Sequence, residues 1–254
     1  MSKVVQVKKL KIGEGMPKIC VSITGNTDEK ILEEARELKN VKLDIVEWRV
    51  DFYKYVDNIE KVKDILIKLS EVLIDIPLIF TFRSKNEGGE REILSEYYTK
   101  LNCEIAKTKL VDLIDVELFV GDDYINKIIE FSHQYGVKVI LSNHDFSKTP
   151  SKKEIIFRLT KMIKLDADLA KIAVMPQNTG DVLTLLCATN EMKEKYPDNP
   201  IITMSMNGIG VISRLAGEIF GSCLTFGATE KASAPGQIKV EDLYSILKVL
   251  HNNK

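Results

Sequence analysis

The sequence has little of several features that would assign its class at once. Its four cysteines, Cys20, Cys103, Cys187 and Cys223, are widely scattered and form no CxxC pair, a pattern typical of reduced, mostly buried thiols in a cytosolic protein. It contains no Rossmann fingerprint or P-loop, and no HExxH motif or paired histidines. We therefore expect neither a disulfide scaffold nor a metal or nucleotide site.

Long hydrophobic runs and an excess of one charge are also missing. The most apolar stretch, residues 72–80, is broken by Asp75 and Pro77 and is too short to span a bilayer. The first ten residues alternate charged and apolar side chains, which argues against a secretory signal. Lysine plus arginine (36) nearly balance aspartate plus glutamate (37), so no bulk attraction to nucleic acid or to a membrane is expected. These absences favour a cytoplasmic protein that binds a small polar molecule.

What the sequence does contain is a regular alternation of short β-rich runs and longer segments with helical spacing. The predicted strands cover residues 18–24, 43–50, 78–83, 110–117, 137–143, 169–175, 201–206 and 223–226. The predicted helices cover 28–40, 58–73, 90–108, 123–135, a segment opened by a capping box at 151–154, 179–196 and 240–251. Eight strand–helix units favour a (β/α)8 TIM barrel over an open doubly wound sheet. We expect one catalytic domain over 1–254, with a β-hairpin in residues 4–12 closing the barrel floor.

Lys171 interrupts the apolar sixth strand, Leu169–Val174, which has no solvated face in such a barrel. A lysine is rarely buried without a reason. One interpretation is structural, a lysine paired with an acid such as Glu117 on a neighbouring strand. The other is catalytic: burial and nearby cations would lower the pKa of the amine, which could then attack a carbonyl and form an imine.

His144 is the one histidine of three that directly follows a predicted strand. It is either a loop histidine that satisfies backbone groups or a general base and acid one strand away from Lys171. Glu87 lies in the loop after the third strand, beside Gly88 and Gly89, which predict a flexible turn. It is either a solvated carboxylate or the group that holds the histidine in one tautomer.

Three arginines lie near the same predicted rim: Arg49, Arg83 and Arg214. Solvated arginines are the common case, but three at strand or loop ends suit an anionic, hydroxylated ligand. Met204 and Met206 alternate on the seventh strand. Core packing is the default interpretation for methionine, although one of the two could form an apolar wall beside an imine.

Five segments of the chain, in order, closely resemble type I 3-dehydroquinate dehydratases. These are residues 44–51 (DIVEWRVD), 80–84 (FTFRS), 142–146 (SNHDF), 170–176 (AKIAVMP) and 233–237 (SAPGQ). The resemblance covers nearly the whole chain, apart from the first seventeen residues and the details of the loops.

The resemblance implies a shikimate-pathway lyase that converts 3-dehydroquinate to 3-dehydroshikimate and water, works as a homodimer and uses no added cofactor. It implies that Lys171 is the Schiff-base nucleophile, that His144 is the general base and acid, and that Glu87 orients His144. It implies a larger set of substrate-binding residues: Ser22, Glu47, Arg49, Arg83, Met204, Met206, Arg214, Phe226, Ser233, Ala234 and Gln237.

Two other functions remain open on the residues alone. A class I aldolase or a transaldolase-like barrel would use the same lysine on a phosphosugar, and Gly208, Gly210 and Gly227 leave room for a phosphate site. A barrel without catalytic activity that senses a small acid would keep the arginines but would need neither Lys171 nor His144. Finally, the small residues of 227–237 predict a mobile lid that Ser233 and Gln237 tie down on a bound carboxylate.

Overall fold

The structure, a computed structural model, describes residues 4–230 and 233–254. Two short strands precede the first of the predicted ones, and a two-residue strand precedes the last helix. The strands are β1 (Val5–Val7), β2 (Leu10–Ile12), β3 (Lys18–Ile23), β4 (Ile45–Arg49), β5 (Leu78–Thr81), β6 (Leu113–Glu117), β7 (Lys138–Asp145), β8 (Leu169–Val174), β9 (Ile201–Ser205), β10 (Leu224–Ala228) and β11 (Ile238–Lys239).

Helices follow the strands of the main sheet in the expected alternation. They are α1 (Asp28–Leu38), α2 (Ile59–Val72), α3 (Ser95–Thr108), α4 (Asp122–Gln134), α5 (Lys152–Lys164), α6 (Thr179–Lys195), α7 (Val211–Leu215), α8 (Gly217–Phe220) and α9 (Val240–Asn252). Helix α5 begins as the sequence predicts, because the Ser151 side chain accepts a hydrogen bond from the backbone N–H of Glu154.

The start predicted for α3 is wrong. Residues 90–94 are not helical and instead return to the end of β5, where Ser84 and Arg91 form a parallel bridge and Lys85 N–H donates to the Arg91 carbonyl at 2.8 Å. The bridge is a tertiary contact that the local sequence pattern does not predict.

The sheet is built from parallel neighbours in chain order, from β3 beside β4 through to β8 beside β9, with β10 on the other side of β3. Its two ends approach each other through a parallel bridge between Ile201 and Ser222, where Cys223 N–H donates to the Ile201 carbonyl at 2.9 Å. The prediction of a TIM barrel is confirmed. Strand β11 pairs only with the end of β10.

The bottom of the barrel is filled by one apolar side chain from each of its strands. These side chains, here called the floor, are Cys20, Ile45, Ile79, Leu113, Ile140, Leu169, Ile202 and Leu224. Val5, Val7 and Ile12 of the β1–β2 hairpin belong to the same buried cluster. The predicted hairpin is therefore present, and it covers the end of the barrel opposite the strand C-termini.

The other faces of the strands pack against the helices in a second, larger core. Helix α1 shows how the sequence directs this packing: Thr27 caps its first turn, and Ile31, Ala35 and Leu38 are its buried face. No helix in the described ranges is long and apolar enough to cross a membrane.

Candidate active site

Polar side chains begin one step above the floor, two residues further along each strand, because side chains alternate between the two faces of a strand. This polar layer consists of Ser22, Glu47, Thr81, Asp115, Ser142 and Lys171, with Met204 and Phe226 completing it on β9 and β10. Above it stand Arg49, Arg83, Glu117 and His144. Charged groups thus occupy the C-terminal half of the barrel interior.

A pocket of about 730 Å³, including its mouth, opens above this layer. Every side chain named in the sequence analysis as catalytic or substrate-binding lines it. Four residues that were not expected complete its wall, namely Gly88, Phe146, Ala173 and Pro235.

Lys171 lies at the base of the pocket and is only 3% exposed. Its Nζ donates to Asp115 Oδ2 at 3.0 Å, lies 3.9 Å from Glu47 Oε1 and sits 4.6 Å from the centre of the Phe226 ring. The acid that pairs with it is therefore Asp115, and the suggested partner, Glu117, binds Arg83 instead. The charged atoms closest to the amine are carboxylate oxygens, not the cations that the sequence suggested.

Asp115 is the important residue that sequence reasoning missed. It is fully buried and accepts from Arg83 Nη2 at 2.6 Å and from Ser142 Oγ at 2.6 Å, in addition to Lys171. Burial would raise the pKa of this carboxyl, but Arg83 and Lys171 hold it well below its usual value. The alternation of Leu113, Asp115 and Glu117 on one face of β6 was the signal that could have found it.

His144 is held by Glu87 through two hydrogen bonds. The backbone N–H of His144 lies 2.9 Å and its Nδ1 3.0 Å from Glu87 Oε2. Burial, together with the cations Arg83 and Lys171, lowers the pKa of His144 well below its usual value, so the ring is neutral at neutral pH. When Glu87 is ionised its carboxylate can only accept, so Nδ1 then carries the proton and Nε2 is left as the basic nitrogen.

The turn that carries Glu87 is tightly packed, and the flexibility expected of it stays a prediction. Residues Lys85–Glu87 form a 3-10 turn that ends at Gly88, whose φ is +84°. A side chain at Gly88 would collide with the Phe146 ring, and one at Gly89 would lie 1.9 Å from the Arg83 carbonyl. The two glycines therefore allow the turn to lie close to Phe146 and to the Arg83 backbone. Glu87 is buried rather than solvated.

Arg214, on α7, is a buried cation without an acidic partner. It is 1% exposed, and its Nη2 donates to the Pro235 carbonyl at 3.0 Å. Within the described part of the chain its Nε has no partner, and no carboxylate pairs with it. Burial lowers the pKa of Arg214 to about 10, so it remains a cation at neutral pH. Such a group is completed by an anionic ligand.

Part of the predicted lid lies over the mouth of the pocket. Ser233 N–H donates to Gln237 Oε1 at 2.8 Å, and Ser233 Oγ lies 3.1 Å from Ser22 Oγ. Ser22 in turn donates to Glu47 Oε2 at 2.6 Å. Lys231 and Ala232 fall outside the described residues, and the mobility of the loop stays a prediction.

The other two arginines of the pocket, Arg49 and Arg83, form ion pairs with acidic residues of the protein. Arg49 makes a two-pronged contact with the fully buried Asp51, with Nε and Nη2 each 2.8 Å from a carboxylate oxygen. Arg83 Nη1 donates to Glu117 at 3.1 Å. Both line the pocket, and neither is solvated. Asp51, like Asp115, was not anticipated; besides its neighbour Arg49 it binds the backbone N–H groups of Arg83 and Glu90, which lie 32 and 39 positions away in the sequence.

Groups of histidine, cysteine, aspartate or glutamate that could hold a metal ion do not occur among residues 4–230 and 233–254. All four cysteines are free thiols; Cys20 and Cys103 are buried, and Cys187 is exposed.

The sequence model of the type I 3-dehydroquinase family matches residues 19–254. The chain belongs to this family. A 3-dehydroquinate dehydratase of Clostridium botulinum (strain Eklund 17B / Type B) is 70% identical over 253 residues, covering 100% of both chains. The corresponding protein of Clostridioides difficile (strain 630) is 60% identical over 100% of this chain and 99% of its own.

Solved structures of the family superpose closely on this fold. The type I 3-dehydroquinate dehydratase of Clostridium difficile, with covalently modified comenic acid, has a TM-score of 0.97 at 60% identity and full coverage of both chains. The 3-dehydroquinate dehydratase of Geobacillus kaustophilus HTA426 has a TM-score of 0.95 at 37% identity, covering 98% of this chain and 97% of its own.

Proposed function

We propose that the chain is a hydro-lyase that converts 3-dehydroquinate to 3-dehydroshikimate and water through a Schiff base on Lys171. The observation that carries this proposal is the arrangement of one pocket. A buried lysine lies at its base beside a neutral histidine, and the same wall holds the buried guanidinium of Arg214, which pairs with no carboxylate of the described residues. Membership of the type I 3-dehydroquinase family supports the reaction.

In the first step, Lys171 Nζ gives up a proton and attacks the C3 ketone of the substrate; a proton returns to the carbinolamine hydroxyl, and its loss as water leaves an iminium ion. An iminium withdraws electrons more strongly than the ketone, so the neighbouring C2 proton becomes more acidic. Asp115 and Glu47 hold the lysine inside the barrel. The Phe226 ring and Met204 give the same wall an apolar surface that limits access of water to the imine.

In the second step, the Nε2 of His144 takes the C2 proton and leaves an enamine. The enamine expels the C1 hydroxyl, to which His144 returns the proton, so that water leaves and the iminium is restored. One histidine can serve both transfers because its Nδ1 stays bonded to Glu87 throughout. Hydrolysis of the iminium then releases 3-dehydroshikimate and the free lysine.

The substrate carboxylate is assigned to Arg214, with Ser233 and Gln237 closing over it. Three features support this assignment: the buried guanidinium lacks an acid, its Nε lacks a partner, and the lid residues line the same pocket. Glu47, Arg49 and Arg83 face the region left for the substrate hydroxyls. Met206 and Ala234 are assigned to the apolar part of the binding surface.

Turnover and trapping together test this function. The chain incubated with 3-dehydroquinate should produce the ultraviolet absorbance of a conjugated enone. Borohydride added during turnover should fix the ligand covalently to the peptide that contains Lys171, as read by mass spectrometry. Absence of enone would reject the reaction, and labelling of a different lysine would reject the mechanism.

The same assay separates the two other functions. An aldolase-type barrel would be labelled by borohydride in the presence of a phosphosugar but would form no enone. A sensor would bind the acid, form no enone and not be labelled by borohydride. Since no carboxylate of the described residues pairs with Arg214, this cation could bind a carboxylate or a phosphate equally well. The family membership decides between them in favour of the lyase.

A cytoplasmic location, a homodimer and a single catalytic domain over 1–254 stay predictions. The first comes from the composition, the second from the family resemblance and the third from the regular alternation of strands and helices. Light scattering of the purified chain, at several concentrations, would measure its oligomeric state directly.

A further inference from the structure

Behind the pair formed by Glu87 and His144 lies a line of side chains that the proposed reaction does not use. Asn143, the residue before His144 on β7, is 3% exposed and donates from Nδ2 to Glu87 Oε1 at 3.1 Å. Its Oδ1 accepts from Arg158 Nη1, on α5, at 2.8 Å. Arg158 thus reaches Glu87 through a single amide.

Arg158 is itself fixed by several contacts. Its Nε donates to Glu154 Oε1, one turn earlier on α5, at 2.7 Å. Its guanidinium lies over the Phe119 ring, 5.4 Å from the centre, and Asp145 Oδ2 is 3.9 Å from Nη1. The long side chain therefore has little freedom to move away from Asn143.

The chemistry of the two neighbours determines which way the amide points. Arg158 can only donate, so it requires the oxygen of Asn143 on its side. The NH2 group then necessarily faces Glu87, where it donates to an ionised carboxylate. A flipped amide would place its oxygen against that carboxylate and its NH2 against the guanidinium, and both contacts would be repulsive.

We propose that Asn143 and Arg158 are positioning residues: Arg158 sets the orientation of the Asn143 amide, and this amide keeps Glu87 ionised and aligned on His144 Nδ1. The proposal rests on the proposed function, in which His144 must present an unprotonated Nε2 to the substrate. It adds two residues that never touch the substrate.

Glu87 needs such support because its pKa is raised to about 7, with burial as the largest cause and the charge of Glu117 also raising it. Arg83, the Asn143 amide and the His144 N–H act in the opposite direction. The charged and titratable groups around Glu87, His144 and Arg158 come from several elements: Arg49 on β4, Arg83 just after β5, Asp115 and Glu117 on β6, His144 and Asp145 on β7, Lys171 on β8, and Glu154 and Arg158 on α5.

Removal of the amide donor should therefore raise the pKa of Glu87 further. The carboxylate would then be neutral at a higher pH than in the native chain, and the acid limb of the kcat/KM profile, which reports the free enzyme, would move to higher pH. A hydrogen bond to a charged group corresponds to a shift of about 1 pH unit. At alkaline pH, where Glu87 is ionised in any case, most of the activity should return.

The first experiment measures kcat/KM against pH for the native chain, Asn143→Leu, Arg158→Met and Arg158→Lys. We expect the acid limb to move up by about 1 unit in Asn143→Leu and by less in Arg158→Met. Arg158→Lys keeps a donor and should lie near the native profile. Arg36→Met, on the exposed face of α1, is the matched control and should not shift.

The second experiment follows His144 without turnover. The chain contains three histidines, so 15N-histidine spectra are simple, and His133→Gln and His251→Gln identify the other two rings. The His144 signals should report the titration of the adjoining Glu87, with the same order of shifts as in the kinetics. The double variant Asn143→Leu/Arg158→Met should shift no further than Asn143→Leu, because Arg158 acts through the amide.

These measurements can overturn the proposal independently of the function. The positioning role of Asn143 and Arg158 would be rejected if the midpoint of the acid limb were unchanged in Asn143→Leu and Arg158→Met. It would also be rejected if the shifts of the two single variants added in the double variant. If Asn143→Leu fails to fold, the acid-limb midpoint of Arg158→Met compared with that of Arg158→Lys is enough to test the proposal. If the native chain produces no enone but the variants show the expected shifts in their spectra, the proposed function is rejected and the positioning role of Asn143 and Arg158 is retained.

Discussion

The floor and the upper half of the barrel are built from the same strands, yet their side chains meet opposite conditions. At the floor, each strand contributes one apolar side chain, and the cluster is sealed by the hairpin. Two residues further along, the same strands carry Lys171, Asp115 and Glu47, which are almost as deeply buried. The floor gains free energy from removing apolar surface from water. The charged half incurs a desolvation cost that only mutual pairing offsets.

This difference separates stability from activity. Most charges of the upper half find partners, as Asp115 does with Arg83 and Lys171, but Arg214 does not. A buried cation without a partner costs the free protein stability and is completed when an anion binds. We therefore expect substitutions in the upper half to change turnover more than folding, and substitutions in the floor to do the reverse.

The sharpest test of this separation is Lys171→Met, for which we expect turnover and borohydride labelling to be lost completely. The fold should persist, because Asp115 keeps its bonds to Arg83 and Ser142. Enone absorbance and thermal unfolding are the two measurements. Lys100→Met, an exposed position on α3, is the control and should behave as the native chain. Substantial turnover by Lys171→Met would end the imine mechanism.

A smaller loss is expected for His144→Ala, which removes the proton carrier but leaves the nucleophile. The rate of dehydration should fall roughly 100- to 10,000-fold, as for other lost general acid–base groups. Borohydride should still label Lys171, because imine formation does not require the C2 proton transfer. His251→Ala, in α9 and outside the pocket, is the matched histidine control. A near-native rate would assign His144 to a structural role.

Arg214→Met should lower kcat/KM roughly 10- to 100-fold, the range expected when a charge-assisted hydrogen bond to the substrate is lost. The free energy of unfolding should stay the same or rise, because the variant no longer buries an unpartnered cation. Arg214→Lys keeps the charge and should lose less activity. Denaturant unfolding measures the free energy of unfolding of each variant, and steady-state kinetics measures its kcat/KM, both against the native chain. A variant that is less stable but binds substrate normally would reverse the assignment.

The buried cluster formed by the floor and the hairpin that covers it should respond in the opposite sense. Ile12→Ala, in the hairpin, should lower the free energy of unfolding by about 2–5 kcal/mol, because it leaves a cavity in a fully buried cluster. Its kcat at a temperature where the variant is folded should be unchanged. Ile12→Val should lose about 0.5–1.5 kcal/mol. A fall in kcat with Ile12→Val would show that floor and upper half are coupled.

Much of this could be predicted from the sequence by itself. Alternation of strand and helix patterns predicted the barrel, and the apolar surroundings of Lys171 and the position of His144 after a strand singled out both residues. These signals are local: a lysine inside a buried strand is visible within six residues. The resemblance to a family added the substrate-binding residues that composition alone left among several interpretations.

Only the tertiary structure decided how these residues are paired. Asp115 meets Lys171 across 56 positions of sequence, and Asp51 meets the backbone of Arg83 across 32. The turn of Glu87 is tight because Phe146, just after the end of β7, fills the space above Gly88. The orientation of the Asn143 amide depends on Arg158 of the next helix. Pairing of buried charges is a property of distances in the folded chain, whereas periodicity reports only which face of its own element a residue occupies.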